Sequence, residues 1–217
     1  MRFVFLSLKV HLLIAFMISL VSLMFFVVMA ILVRKHSIVD FDRTIITYVQ
    51  GFETPILTSI MKFFTFIGGT IPIVLISLIV LFILHKVLKH RSELILFVAV
   101  IAGANLLFVS LKLLFRRARP DLHRLIEAAN YSFPSGHATV AFALYGVLTF
   151  ILWRHISTCF GRTTLIILSI IMIFFIGISR IYLGVHYPSD VIAGYFISSF
   201  WLTFAIWFYQ RYKANKT

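Results

Sequence analysis

Acidic side chains are scarce in this chain: Asp and Glu together number 7 in 217 residues, against 20 Lys and Arg. Charged residues of both signs make up 12%, about half the share of an ordinary soluble domain. That is too little polar surface to cover a water-soluble globule. With 61% hydrophobic residues the composition is also the reverse of a disordered one. Cysteine occurs once, as Cys159, which excludes an intramolecular disulfide and leaves no CxxC or Cys/His metal framework. The acids are too few and too dispersed for an evident two-metal centre. The formal net charge of +13 would suggest nucleic acid in a soluble protein. In a chain with a mean hydropathy of +1.05 it reflects membrane topology and anionic head groups instead, and no nucleic-acid partner is expected.

What the sequence has in abundance is long apolar runs, at 12–33, 70–88, 94–115, 137–153, 164–181 and 191–209. Each can cross about 30 Å of hydrocarbon at about 1.5 Å per residue. The first is longer than a signal-peptide core and no small-residue cleavage site follows it, so it reads as a retained span. The uninterrupted apolar core of the second, Ile71–Leu84, is only 14 residues, and His85 and Lys86 must snorkel at its end. Continuous apolarity is not strand alternation, which argues against a β-barrel. The expectation is an all-α polytopic membrane protein: one integral-membrane domain over 1–217, a bundle of six transmembrane helices. Between the first two spans, segment 34–69 starts polar (Asp40, Asp42, Arg43) and turns aromatic after Pro55 (Phe63, Phe64, Phe66). An extra interfacial helical segment fits it better than a seventh span.

Six spans put both termini on one side. That side carries ten Lys and Arg (Arg2, Lys9, Lys86, Lys89, Arg91, Arg154, Arg162, Arg211, Lys213, Lys216), and the other side carries the remaining ten. The cation count ties, but only Glu93 among the acids lies with the termini. Cations with a chemical task do not count as topology signals. On that basis the termini are expected in the cytoplasm of a multi-pass plasma-membrane protein.

Three polar clusters interrupt the apolar text. Lys112 and Arg119-Pro120 end the third span; Pro134-Ser135-Gly136-His137 opens the fourth; Ser179-Arg180, His186 and Asp190 run from the end of the fifth to the start of the sixth. Span alternation puts all three on the face away from the termini. Lys112 and Arg119 are nearly two helical turns apart and share a side while the helix lasts, which makes an anion clamp. Ser135 can cap the helix that follows, whose free N–H groups favour an anion, and Gly136 allows close approach of backbone to ligand. Arg180 is a bidentate oxyanion donor. Asp190 can accept from one ring nitrogen of His186, fixing its tautomer and leaving the other nitrogen free. Together the clusters describe a phosphate-like ligand and metal-independent phosphoryl transfer to a histidine.

At these residues the sequence resembles the type 2 phosphatidic acid phosphatase (PAP2) family. The family's motifs KxxxxxxRP, PSGH and SRxxxxxHxxxD stand here as Lys112 to Pro120, Pro134 to His137 and Ser179 to Asp190, with all eleven specified positions matched. The resemblance implies that His186 is the nucleophile, that Asp190 orients it, and that His137 is the general acid for the leaving oxygen. It implies that Lys112, Arg119, Ser135, Gly136 and Arg180 hold the phosphate, with no metal or other cofactor. The chain looks like the bacterial phosphatidylglycerophosphatases B and undecaprenyl-diphosphate phosphatases, whose sites face outward. The expected partners are the bilayer and a membrane lipid phosphate or diphosphate, either undecaprenyl diphosphate or phosphatidylglycerol phosphate. Arg116 and Arg117, beside the first motif, are candidate headgroup contacts. A transporter or anion-binding protein using the same basic site without hydrolysis is the alternative, but its charges would sit mid-bilayer rather than at one face.

The orientation carries a direct test. Cys159 falls between the fourth and fifth spans, on the side of the termini. A membrane-impermeant thiol reagent applied outside intact cells is expected to leave it unlabelled until the cells are lysed. Ready labelling before lysis would invert the topology.

Overall fold

The computed structural model describes residues 2–88, 90–121 and 123–215, with side chains described from 10 onward except at 11. Of the cations counted above, Lys89 and Lys216 lie outside the described residues, as do the side chains of Arg2 and Lys9. Among the described residues eight α-helices follow one another: α1 (Arg2–Arg34), α2 (Val39–Gln50), α3 (Pro55–Ile67), α4 (Thr70–Phe82), α5 (Arg91–Phe115), α6 (Gly136–Trp153), α7 (Cys159–Tyr182) and α8 (Pro188–Ala214). A single π turn, Ile83–Val87, extends α4. Six of these helices are long and apolar enough to cross a membrane, and they coincide with the six runs read from the sequence.

The differences lie at the ends and in the first connection, and each has a local cause. α7 begins at Cys159 because the Thr158 side chain accepts from the Gly161 N–H and caps it there. α8 begins at Pro188, a residue with no N–H to leave unsatisfied at the first helical position. The 34–69 connection holds two helices, not one. α3 has its expected start, with Thr54 capping the Leu57 N–H and Pro55 following. The polar stretch before it also folds, because Asp42, Ile46 and Val49 share one face of α2, and Asp42 and Ile46 are buried.

Helices α5, α6 and α8 share the central core, in which Val100, Ala104, Ala143, Leu144 and Val147 are fully enclosed. α1 lies along α8, with Phe25 stacked on Phe196 at 5.1 Å and Ser22 hydrogen-bonded to Ser199 at 2.9 Å. Small residues set close approaches: a Cβ on Gly103 would fall within 2.2 Å of the Trp201 ring. α3 packs on α7 through Phe64 and Phe175 at 4.8 Å. α4 is the outlier, with 11% of its span buried inside the protein against 44% for α6. The C-terminal ends of α5 and α7 and the N-terminal ends of α6 and α8 meet on one face, beneath α2 and α3.

Candidate active site

Between α5 and α6 the chain crosses this face in a loop without regular structure, and its backbone carbonyls fix the first cluster. Lys112 Nζ donates to the Tyr131 carbonyl at 2.6 Å. Arg119 donates to the Ala129 carbonyl through Nη2 at 2.7 Å, to Asn130 through Nε at 3.0 Å and to Val185 through Nη1 at 2.6 Å. Ser132 folds the loop back on itself by donating from N to the Arg117 carbonyl and from Oγ to the Ala118 carbonyl. The second connection, after α7, is tighter. Val185 and His186 both donate their N–H to the Arg180 carbonyl. Gly184 turns the chain at φ +72°, where a Cβ would lie 2.2 Å from the His123 carbonyl oxygen. Only glycine satisfies both conditions.

These two connections and the start of α6 enclose a cavity of about 610 Å³ whose polar wall includes Lys112, Arg119, Gly136, His137, Arg180 and His186. Among the described residues no salt bridge joins Lys112, Arg119 or Arg180 to a carboxylate. Arg180 donates to the Thr65 hydroxyl from α3, while its buried Nε has no partner. Glu127 is the carboxylate in this wall and forms no salt bridge with any of the three. Three cations facing one cavity without a salt-bridge partner, one of them with an orphaned donor, form a receptor for an anion.

The histidine geometry is explicit. His186 Nδ1 lies 3.3 Å from Asp190 Oδ2, and its Nε2 lies 3.2 Å from Arg119 Nη1. A guanidinium only donates. Nε2 is therefore the acceptor, the proton sits on Nδ1, and Asp190 receives it. The lone pair that faces the cations is therefore the one on Nε2, where Arg119 donates to it. Burial first, then the charges of Arg180, Arg119 and Lys112, hold the His186 pKa well below the usual histidine range, so the ring is neutral at neutral pH. His137 stands in the first turn of α6 against the same cavity. The α3–α4 turn closes over it so tightly that a Cβ on Gly68 would be 3.3 Å from its Cδ2.

Not every candidate is in the cavity wall. Ser135 is fully buried and caps α6, its Oγ accepting from the Ala138 N–H at 3.4 Å and its N–H donating to the Asp190 carbonyl at 3.0 Å. It fixes the start of α6 against α8. Asp190 stands behind His186 and is fully buried. Arg116 terminates α5 in the left-handed conformation and donates to its own helix at Leu113, facing the α1 end rather than the cavity. Arg117, read from the sequence as a headgroup contact, points inward. Its Nη1 donates to Asp190 Oδ1 at 2.6 Å and to Ser189 Oγ at 2.8 Å, and its Nη2 donates to Asp42 Oδ2 at 2.7 Å. Asp42 also accepts from the Ser189 N–H at 2.9 Å and its hydroxyl at 2.6 Å. Burial opposes the Arg117 charge, but Asp190 and Asp42 outweigh it and raise its pKa.

Sequence reasoning missed Asp42 and the inward role of Arg117. A usable signal existed: one of only seven acids sits at i, i+4 and i+7 spacing with Ile46 and Val49, on the apolar face of α2. The network makes Arg117 and Asp42 positioning residues for the His186–Asp190 pair. Arg117→Lys keeps the charge but cannot bridge two carboxylates. It is expected to lower kcat for phosphate release by about 10²-fold with KM little changed, because a misaimed nucleophile is costly. Asp42→Asn is expected to show the same split. A rise in KM with kcat intact would show that Arg117 contacts the headgroup instead.

Comparison with known proteins agrees with this geometry. Residues 93–214 match the model of the PAP2 superfamily. Phosphatidylglycerophosphatase B of Bacillus subtilis is 29% identical over 176 residues, 79% of this chain and 85% of that protein. An undecaprenyl-diphosphatase of Sulfolobus acidocaldarius is 37% identical over 78 residues, 36% of this chain and 33% of that protein. The crystal structure of a transmembrane PAP2-type phosphatidylglycerolphosphate phosphatase from Bacillus subtilis superposes with a TM-score of 0.77 at 26% identity, covering 88% of this chain and 94% of that one. With the family match spanning more than half its length and the motif residues gathered around one anion cradle, the chain belongs to the PAP2 superfamily of membrane lipid phosphatases.

Proposed function

We propose that the protein hydrolyses the terminal phosphate of a glycerophospholipid, with phosphatidylglycerol phosphate as the preferred substrate, through a phosphohistidine and without a metal ion. The observation that carries the reading is the His186 Nε2 lone pair, aimed among three cations that have no salt-bridge partner. A bound phosphate supplies the missing charge and satisfies the Arg180 Nε. His186 Nε2 attacks phosphorus in line, forming the N–P bond as the P–O bond to the lipid breaks. His137 gives the leaving oxygen its proton. Asp190 stabilises the imidazolium that develops, and Arg117 keeps Asp190 in place. Water then attacks phosphorus with its proton passing to His137, the N–P bond breaks, and inorganic phosphate leaves. Lys112, Arg119 and Arg180 neutralise the equatorial oxygens throughout, the role a metal ion plays in other phosphoryl transfers.

The choice of lipid rests on the cavity's deeper wall. Below the cations it is lined by Ile73, Val74 and Leu78 of α4, Ile101 and Phe108 of α5 and Val140 of α6, all apolar. Two polar residues break this surface, Ser77 and Asn105. The Ser77 hydroxyl is buried without a hydrogen-bond partner, and Asn105 uses Nδ2 on the Ile101 carbonyl of its own helix. Asn105 lies two turns from Lys112, about 10 Å along α5. At that separation an extended phosphatidylglycerol phosphate whose terminal phosphate sits in the cradle carries the acceptor oxygens of its inner phosphodiester and glycerol backbone. A polyprenyl chain has no acceptor there. The name of the Bacillus relative supports the same substrate. The charge count supports an outward-facing site in the plasma membrane. With Lys112, Arg119 and Arg180 turned to the cavity and Arg117 neutralised by Asp42 and Asp190, six cations remain on this face against ten opposite.

Purified protein supplied with phosphatidylglycerol phosphate, undecaprenyl diphosphate and phosphatidic acid in mixed micelles is expected to release phosphate fastest from the first. His186→Ala is expected to bind the lipid yet lose essentially all turnover. Appreciable hydrolysis by that variant would remove His186 as the nucleophile. Wild-type binding without hydrolysis of any lipid would favour an anion-binding protein.

Ser77→Ala and Asn105→Leu test the deeper wall. Each is expected to lower kcat/KM for phosphatidylglycerol phosphate by roughly two- to tenfold, the worth of one hydrogen bond, and to leave undecaprenyl diphosphate unaffected. Equal losses on both lipids would place the selectivity elsewhere.

A further inference from the structure

A second group of polar side chains lies at the opposite face of the bundle, far from the phosphate cradle. Glu93, in the first turn of α5, is buried there, its side chain 8% exposed. Its Oε2 lies 3.0 Å from His90 Nδ1 and 3.6 Å from His155 Nε2, the latter in the loop after α6. The two imidazoles are nearly parallel, with centroids 5.3 Å apart and planes inclined by 21°. All three ligand atoms lie within 4.8 Å of one another. The other carboxylate oxygen, Oε1, lies 3.6 Å from Arg154 Nη1, which also donates to the Tyr209 hydroxyl at 3.2 Å.

We propose that His90, Glu93 and His155 form a binding site for one divalent transition-metal ion of the zinc class. Two neutral imidazoles and one carboxylate are an N₂O donor set suited to zinc, nickel or copper and poorly suited to magnesium or calcium. Tetrahedral bonds of about 2.0–2.1 Å require ligand atoms about 3.3 Å apart. The two separations from Oε2 lie on either side of that value, and the two ring nitrogens, within 4.8 Å of each other, close on an ion by rotation of their rings. The donors converge because the ring nitrogens of two different segments are aimed at one carboxylate oxygen. Both rings are over a third exposed, so an ion arrives from solvent and a water completes the fourth position. Arg154 touches only the far oxygen and holds the carboxylate in orientation, the part that outer-shell groups play at metal centres.

The alternative use of this geometry is a buried carboxylate that accepts N–H hydrogen bonds from the rings, as the 3.0 Å approach of His90 Nδ1 allows. A metal instead takes the ring lone pairs, and only that use yields ligand-field absorption. The site would tie the start of α5 to the end of α6. Those helices carry Lys112 and His137 at their other ends, so a bound ion fixes the two spans together without entering the reaction.

The test uses the full chain, free of any polyhistidine tag, in detergent, stripped with chelator and then freed of it. Titration with Co²⁺ is expected to give ligand-field absorption that saturates at one ion per chain and is displaced by Zn²⁺. Zn²⁺ is also expected to raise the thermal unfolding midpoint. His90→Gln and His155→Gln replace exposed rings, and each is expected to weaken binding by about tenfold or more. The double variant should bind no Co²⁺ and show no Zn²⁺-dependent midpoint shift, while its metal-free phosphate release matches that of the unaltered chain. No saturable Co²⁺ binding by the unaltered chain, or unchanged binding by the double variant, would overturn the proposal. Neither outcome bears on the phosphatase reading, which rests on the other face.

Discussion

Arg117 lies between two fully buried carboxylates, and the alignment of the reacting groups depends on that bridge. Asp190 alone would be an uncompensated charge enclosed where the α7–α8 loop meets the membrane face, and Asp42 alone would be another. One guanidinium answers both, with the Ser189 N–H and hydroxyl supplying the remaining bonds to Asp42. Buried ions at such a place survive only when their hydrogen-bonding capacity is filled. The consequence reaches the cavity. Asp190 holds its orientation, so His186 keeps its proton on Nδ1, and the lone pair stays on Nε2, facing the cations. The same bridge brings α2 down onto α7 and α8, which covers the site from above.

The contrast between the two charge clusters of this face separates structure from function. Arg117 has carboxylate partners and is closed off. Lys112, Arg119 and Arg180 have carbonyls, a hydroxyl and an orphaned donor, and they face open volume. The first arrangement is complete without a ligand, while the second is not. In a protein with seven acids, three converging cations form no salt bridge with any of them, not even with Glu127 in the same wall, and that is the feature that marks the candidate anion position. At the opposite face the ring nitrogens of His90 and His155 converge on one oxygen of Glu93 while Arg154 approaches only the other, and the proposed ion would complete that cluster as a phosphate completes this one.

How much of this could be read from the sequence depends on which residues are asked about. The six spans are legible because continuous apolarity over a membrane thickness has few other meanings. The gathering of Lys112, His137, Arg180 and His186 on one face follows from span alternation alone, before any side chain is placed. Arg116 and Arg117 show where that logic stops. They are adjacent and chemically identical, yet the left-handed turn at Arg116 sends one outward and the other inward, and no local pattern encodes that difference. Asp42 was overlooked because a polar helix start beside a membrane reads as an interfacial surface; its partner is far along the chain. His90, Glu93 and His155 escape motif reading for the same reason, since His155 joins the other two only through the packing of α5 against α6.

The unequal packing of the helices has a functional logic. The polar groups of the cavity come from α5, α6 and the ends of α7 and its connection to α8, which meet beside the enclosed core, so their mutual geometry is held by close packing on several sides. α4 contributes only wall, through Ile73, Val74, Ser77 and Leu78. Most of its surface faces lipid, and its C-terminal end continues into a π turn instead of an anchored α-helical end. Moving such a helix outward exchanges contacts with protein for contacts with acyl chains, and in a bilayer these are nearly equivalent, because no hydrophobic driving force holds apolar helices together there. The cavity therefore combines a polar end whose distances are fixed by packing on several sides with one apolar wall, α4, that is held by few contacts.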